Sequence, residues 1–150
     1  MSDPPIAKWL RSEHEQVNVL ADRLRACTAV IPRTSLAPWI AEIRGHFEHF
    51  RAHMIRHIAL EEDKGYLSEV MVRRPTLAGR VERLAHEHRE LIKLIDGLHR
   101  ALSDLGDGDR LLAYDCSRRI DDLLGFVDHH ESEENDLVEF VFTMDLGTSE

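Results

Sequence analysis

Residues 40–62 read IAEIRGHFEHFRAHMIRHIALEE, and their apolar side chains recur at spacings of three and four. That spacing is typical of a helix with one side buried in a core. The buried side then ends in two polar residues, His57 and Glu61. Positions i and i+4 differ by roughly 40° around a helix and about 6 Å along it, so both side chains can reach one point. The stretch therefore predicts a pair of metal ligands on an inward helix face.

The same pattern occurs twice in the chain. His14 and His88 are 74 residues apart, and His57 and His130 are 73 apart. The residues LRSEH at 10–14 also match LAHEH at 84–88. One His-x-x-x-Glu pair is common by chance, but two in equivalent places indicate a single site built from two similar halves. The candidate metal ligands are His14, His57, Glu61, His88, His130 and Glu134.

Three further segments show helical spacing, and turn residues separate them. We predict helices over approximately 4–31, 35–64, 77–103 and 110–143, a short segment over 66–72, and a frayed tail over 147–150. Thr34 and Ser35 are expected to cap the second helix. Four helices with short connections favour an all-α fold, an up-down-up-down antiparallel four-helix bundle in a single domain, 1–150.

Composition excludes some classes of partner. The chain has 150 residues and a formal net charge of −9, from 28 acidic and 19 basic residues. This balance repels nucleic acid and anionic membrane surfaces. Because no cationic leader precedes an apolar run, we expect a cytoplasmic protein. The two cysteines, Cys27 and Cys116, stand alone at inward positions and are expected to pack as small hydrophobes.

Charge balance argues for bound metal. Burying an unpaired carboxylate costs on the order of several kcal/mol, and Glu61 and Glu134 fall on otherwise apolar stripes that carry no Lys or Arg. Four imidazoles and two carboxylates suit two metal ions. Two histidines and one carboxylate for each ion are typical of non-haem iron with open positions. We therefore expect two non-haem iron ions, with manganese as the alternative.

At these positions the chain resembles the hemerythrin-like family, also called HHE cation-binding domains. The likeness covers nearly the whole chain. The resemblance implies a non-haem di-iron centre inside a four-helix bundle, with the six residues as ligands and with carboxylate and oxo or hydroxo bridges. It is carried by the phrases Glu13-His14, His57-Ile-Ala-Leu-Glu61-Glu62, Glu87-His88 and His130-Glu131-Ser-Glu-Glu134.

Two positions differ from the oxygen carriers of that family. The carriers have a second histidine one turn from the first on their third helix, whereas Leu84 and Ile92 flank His88 here. They also use an aspartate five residues after the last histidine, where this chain has Asn135, preceded by Glu134. A carboxylate in place of an imidazole favours ferric iron and leaves a position for an exogenous ligand. We therefore expect a protein that binds, senses or reacts with O2, peroxide or nitric oxide.

Two other functions fit the same ligand set. One is iron storage or delivery, in which metal is bound without turnover. The other is a metal-free structural or interaction bundle whose histidines are neutral core residues. The sequence also leaves open whether the protein is a carrier, a sensor or an enzyme.

Some residues have alternative interpretations. His129 and Glu133 share the i, i+4 spacing of His130 and Glu134, but solvent-type residues precede them on their face, so the second pair is preferred. His53 is a further candidate ligand, although it is expected at a half-exposed flank with His46 and His49. Tyr66 is either a ligand or a core-edge aromatic. Apart from Glu61 and Glu134, the acidic runs 61–63 and 131–136 are expected to be solvated.

Overall fold

Helices make up most of the described part of the chain. The computed structural model describes residues 5–64 and 66–148, but not the side chains of residues 64, 66 and 143–148. No strand occurs among these residues. The helices are α1 (Pro5–Ala29), α2 (Ala37–Lys64), α3 (Tyr66–Arg73), α4 (Ala78–Asp104) and α5 (Arg110–Thr148), with a 3₁₀ turn at Pro75–Leu77 before α4.

The four long helices pack around a common axis. The neighbouring pairs are α1 with α2, α2 with α4, α4 with α5 and α5 with α1, so each long helix contacts two others. Connections between successive long helices are short enough to make them antiparallel. The predicted fold class, an all-α antiparallel four-helix bundle, is confirmed. None of the described helices combines the length and apolar content needed to cross a bilayer.

Two hydrophobic clusters fill the bundle, and the candidate ligands lie between them. On α1, His14 separates Leu10 of the smaller cluster from Val17 of the larger one. On α4, His88 separates Leu84 from Leu91 in the same way. The larger cluster includes Leu24, Leu36, Phe47, Phe50, Ile95 and Ile120, and the smaller one includes Val70, Val81, Leu137 and Val141. The polar level is therefore closed by apolar side chains above and below.

The beginning of α2 is capped from another loop. Asp107 Oδ1 accepts the backbone N–H groups of Leu36 at 2.5 Å and Ala37 at 2.8 Å, and also the Ser35 hydroxyl at 3.0 Å. The Ser35 hydroxyl itself contacts the Ala37 N–H at only 3.4 Å. The expectation of a local Thr34-Ser35 cap is thus largely wrong, because the loop after α4 brings a stronger, anionic acceptor to the same N–H groups.

The helix bounds near the chain ends differ in part from those predicted. Helix α5 continues through Gly147 and Thr148, which the sequence placed in a frayed tail. No proline interrupts residues 143–148, and a single glycine costs a helix only about 1 kcal/mol. The last two tail residues, 149 and 150, and the expected helix start at Pro4 lie outside the described residues.

Candidate metal centre

All six predicted ligands are buried at the level between the two hydrophobic clusters, and we call them the histidine–glutamate centre. Glu61 and Glu134 each expose only 1% of their surface to solvent. Each long helix contributes at least one member. Two overlapping sets of ligand atoms lie within 4.8 Å of one another: His14, His57, Glu61 and Glu134 in the first, and His88, His130 and Glu134 in the second.

Glu134 lies in the middle of the centre and contacts three of its four histidines. Its Oε1 lies 3.2 Å from His14 Nε2, and its Oε2 lies 3.5 Å from both His88 Nε2 and His130 Nε2. Glu61 plays the matching part in the other half, where it contacts His57 Nε2 and lies 3.7 Å from His88 Nε2. The Nε2 atoms of all four rings thus point toward these two central carboxylates.

The opposite ring nitrogen, Nδ1, of each histidine meets an oxygen from a neighbouring helix. We call the four residues that provide these oxygens the outer acceptors. The Nδ1···O pairs and distances are His14 with Asn135 at 3.0 Å, His57 with Glu13 at 3.3 Å, His88 with Glu62 at 3.1 Å and His130 with Glu87 at 2.7 Å.

This geometry calls for a cation. A carboxylate or amide oxygen only accepts, so each Nδ1 must donate, and in a neutral ring the Nε2 lone pair then faces a central carboxylate. Lone pair and carboxylate repel unless a proton or a metal ion lies between them. The Nε2 atoms of His57, His88 and His130 are buried and make no well-formed hydrogen bond among the described residues. The donor set therefore fits metal ions bound between the rings and the central carboxylates.

The outer acceptors repeat with the halves of the chain. Glu13 and Glu87 each immediately precede a histidine of the centre and contact a histidine of the next long helix. Glu62 and Asn135 each immediately follow a central carboxylate and contact the histidine of α4 or α1. The repeat is broken at this second pair, because one member is a carboxylate and the other an amide.

Two histidines of the centre have opposite pKa shifts. Burial lowers the pKa of His57 to about 4, and the neighbouring carboxylates only partly offset it. Burial also lowers the pKa of His130, but Glu134 and Glu87 outweigh it and raise that pKa to about 9. His57 is therefore neutral at pH 7, whereas His130 carries a proton on both ring nitrogens.

The central carboxylate Glu134 stays ionised. Burial raises its pKa, but interactions with Glu61, His130, His14 and His88 outweigh burial and hold the pKa well below its usual value. No Lys or Arg is among the buried residues of the described part of the chain. The buried negative charge must therefore be balanced by protons on the rings or on Glu61, or by bound metal.

His53 lies next to the centre but outside both ligand sets. Its ring stacks on His57 with 6.2 Å between centroids, and Trp9 stacks on His57 at 5.7 Å. His53 is buried rather than half-exposed as expected, because α1 covers this flank of α2 with Trp9 and Glu13. His53 thus packs against a ligand ring.

Glu131 is a buried carboxylate that the sequence placed in solvent. It exposes only 7% of its surface to solvent, and its Oε1 makes no hydrogen bond among the described residues. Burial raises its pKa to about 7. The prediction of a solvated acidic face is wrong at this position, because Glu131 lies on the side of α5 that faces His14 and is covered there.

The two alternative ligands on α5 are on the surface. His129 is exposed and pairs with Glu133 at 2.9 Å, away from the centre. His130 and Glu134, one residue later, are buried in it. The side chain of Tyr66, the remaining candidate ligand, lies outside the described residues.

The sequence interpretation missed the outer acceptors as functional groups. A signal for them existed, since each is the immediate chain neighbour of a predicted ligand. Neighbours on a helix point about 100° apart, so a residue beside an inward ligand lies at the boundary with the adjacent helix. That is where each of the four is found.

Comparison with known proteins identified one family. A family model described as the hemerythrin HHE cation binding domain matches residues 6–141. No curated protein and no solved structure gave a significant match.

Proposed function

Because the chain belongs to the hemerythrin HHE cation-binding family, we propose that its histidine–glutamate centre binds two non-haem iron ions that bind or react with O2, peroxide or nitric oxide. One observation carries the proposal. Each of the four rings lies between an outer acceptor and a central carboxylate, an arrangement that leaves a place for a cation at every Nε2.

The ligand sets divide naturally between two ions. His14 and His57 would hold one ion, and His88 and His130 the other. Glu134 belongs to both sets, and Glu61 lies near His88 as well as His57, so both central carboxylates are placed to bridge. Each ion would then have two imidazoles and shared carboxylates, with positions left for an exogenous ligand.

The donor chemistry favours iron over zinc, with manganese as the alternative. The centre offers nitrogen and oxygen donors, whereas a closed zinc site uses four ligands for one ion, often with thiolates. When bound, an iron pair would supply reversible electron transfer and an open position for a small ligand. Iron storage or delivery does not require ligands in a fixed orientation. Because the outer acceptors orient all four rings, the centre is better suited to binding or reacting with a small ligand.

The chain's own residues control orientation and access. When metal is bound, the outer acceptors would hold each ring's proton on Nδ1 and leave its Nε2 lone pair to the ion. The apolar clusters exclude bulk water, and buried Leu84 lies one turn from His88, where the carriers place another histidine. A pocket of about 260 Å³ between α4 and α5, lined in part by Leu91, Leu94 and Phe126, reaches His130. Glu87, Glu90 and His129 also line it, but most of the surface inside is apolar, which suits a small uncharged ligand.

Elemental analysis and an optical spectrum of the purified protein test the proposal. We expect about two iron ions per chain and the absorption of a bridged ferric pair. Rapid mixing of the reduced protein with O2, peroxide or nitric oxide should then change the spectrum. Iron that is taken up and released without any spectral response would favour storage, and a chain that retains no iron after anaerobic loading would support the metal-free bundle.

Metal affinity should depend on pH in a range set by His130. Its pKa of about 9 means that the metal-free protein carries this proton at pH 7, and metal binding must release it. Affinity for Mn²⁺, used because it resists oxidation, should therefore rise by about ten-fold per pH unit from about pH 7 towards pH 9. If His130 had the pKa of an unperturbed imidazole, the change in metal affinity would instead occur near pH 6.5. Titration calorimetry in two buffers of different ionisation enthalpy measures the released proton, and an affinity independent of pH above 7 would contradict the assignment.

Replacing an outer acceptor should weaken metal binding without removing a ligand. Glu87→Gln retains the shape but removes the charge that faces His130 Nδ1 at 2.7 Å. We expect a loss of about 10–100-fold in metal affinity, measured by competition with a chelator. Glu90→Gln is the matched control, because Glu90 pairs with the exposed His86 on the same helix. Equal effects of the two changes would show that Glu87 acts only through general charge.

A further inference from the structure

A second group of potential metal ligands lies between α1 and α2, away from the histidine–glutamate centre. Cys27 is in the last turns of α1, and Glu42 and His46 are four residues apart near the beginning of α2. One ligand atom from each lies within 4.8 Å of the others. Thirteen residues of α1 separate Cys27 from His14, which places the group roughly 20 Å from the centre.

The group combines a buried thiol with two accessible ligands. Cys27 exposes 6% of its surface to solvent, whereas the side chains of His46 and Glu42 expose 31% and 64% of theirs. The carboxylate and imidazole lie on one face of α2, with His46 Nε2 3.8 Å from Glu42 Oε1. An ion could thus arrive from solvent, bind the two α2 side chains and meet the thiol behind them. Solvent would supply the fourth ligand.

The backbone around the thiol is held in place. Trp39 Nε1 donates a hydrogen bond of 2.9 Å to the Cys27 carbonyl oxygen. Trp39 lies three residues before Glu42, on the same side of α2, and is itself buried. This bond fixes the end of α1 against the beginning of α2, so the three ligand residues keep their spacing. The indole also places a fluorophore beside the group.

The charges nearby favour a cation. Glu42 is the charged group whose field reaches the Cys27 sulfur, and its charge is negative. A thiolate, an imidazole and a carboxylate form the mixed donor set that binds ions of borderline softness. Both thiols, Cys27 and Cys116, lie in the larger hydrophobic cluster, but Cys116 belongs to no such ligand set among the described residues.

We propose that Cys27, Glu42 and His46 form a second metal site, separate from the histidine–glutamate centre and suited to Zn²⁺. On binding, the Cys27 S–H bond breaks, a sulfur–zinc bond forms, and the proton passes to solvent. No electron is transferred. The prediction that Cys27 packs as a small hydrophobe is confirmed by its place in the larger hydrophobic cluster, and the proposed site adds a second role to it.

Cobalt(II) substitution provides the direct test, because a thiolate bound to Co²⁺ gives an intense near-ultraviolet charge-transfer band. The histidine–glutamate centre contains no cysteine and cannot produce this band. We expect the band to grow until about one equivalent is bound at this site and Zn²⁺ to displace it. Cys27→Ser should abolish the band, and Cys116→Ser should retain it. Absence of the band in the unchanged protein, or its persistence in Cys27→Ser, would overturn the proposal.

Surface substitutions keep the test valid if Cys27→Ser does not fold. His46→Gln should weaken the cobalt affinity by about ten-fold or more, whereas His49→Gln, at an exposed position on the same helix, should not change it. In a Trp9→Phe variant Trp39 is the one remaining tryptophan, and its fluorescence emission should change when the metal binds. Glu134→Gln, which disables the other centre, should leave the cobalt band intact. Equal affinities for His46→Gln and His49→Gln would contradict the site.

Discussion

Replacing Glu134 by Gln is expected to lower metal affinity by more than about 100-fold and to leave less than one ion per chain. Glu134 lies within 3.5 Å of three of the four Nε2 atoms and belongs to both ligand sets. Changes to groups that only orient a ligand already cost about 10–100-fold, so loss of a shared ligand should cost more. Metal content after desalting and a competition titration measure the effect.

Glu133→Gln is the control for charge and for helix position. Glu133 is one residue away on α5 and pairs with exposed His129 at 2.9 Å. We expect the affinity of this variant to equal that of the unchanged protein. Circular dichroism of both metal-free variants verifies that each remains helical. Similar losses in the two variants would mean that the change acts through charge on α5 and not through loss of a ligand, whereas a loss in Glu133→Gln alone would mean that His129 and Glu133 bind the metal.

Removing metal with a chelator is expected to lower the melting temperature by roughly 10 °C or more. A ligand at about 1,000 times its dissociation constant stabilises a folded protein by about 4 kcal/mol, and each kcal/mol shifts Tm by roughly 2–4 °C at this size. The ions should bind only the folded state, because the first ligand set joins side chains of α1 and α2 to Glu134 of α5. Thermal unfolding with and without chelator measures the shift.

The chelator effect should disappear in Glu134→Gln, which serves as the control for chelator binding to the protein itself. His46→Gln should retain the effect, because that residue belongs to the proposed zinc site. If the metal-free and iron-loaded proteins melt at the same temperature, the ions contribute nothing to the folded state, and the imidazolium groups alone must balance the central carboxylates.

Much of the fold was predictable because its determinants are local. Apolar spacing within each helix identifies an inward face, and the faces of all four long helices end in or include a ligand of the centre. Repetition of the pattern after 73 or 74 residues then predicted that the six side chains meet, and the structure brings them together. The choice of His130 over His129 as the inward residue also followed from one helix alone, since the residues before His130 on its face are all apolar and most of those before His129 are charged.

The remaining features depend on how neighbouring helices lie against one another. The burial of His53 and Glu131 follows from α1 covering the flanks of α2 and α5, which no single helical wheel specifies. The outer acceptors reach across helix interfaces, and Asp107 caps a helix 70 residues away in sequence. Cys27 meets Glu42 and His46 only because the first loop brings the end of α1 to the beginning of α2.

The single break in the repeat of outer acceptors, Glu62 in one half and Asn135 in the other, makes the two halves electronically different. An anionic acceptor withdraws the Nδ1 proton more strongly than an amide and makes the ring a better electron donor. In the proposed two-ion centre, the ion held by His88 and His130 would have two such rings, and its neighbour only one. Two ions of the same element would then be inequivalent, because the rings of His88 and His130 would donate electron density more strongly than the pair His14 and His57.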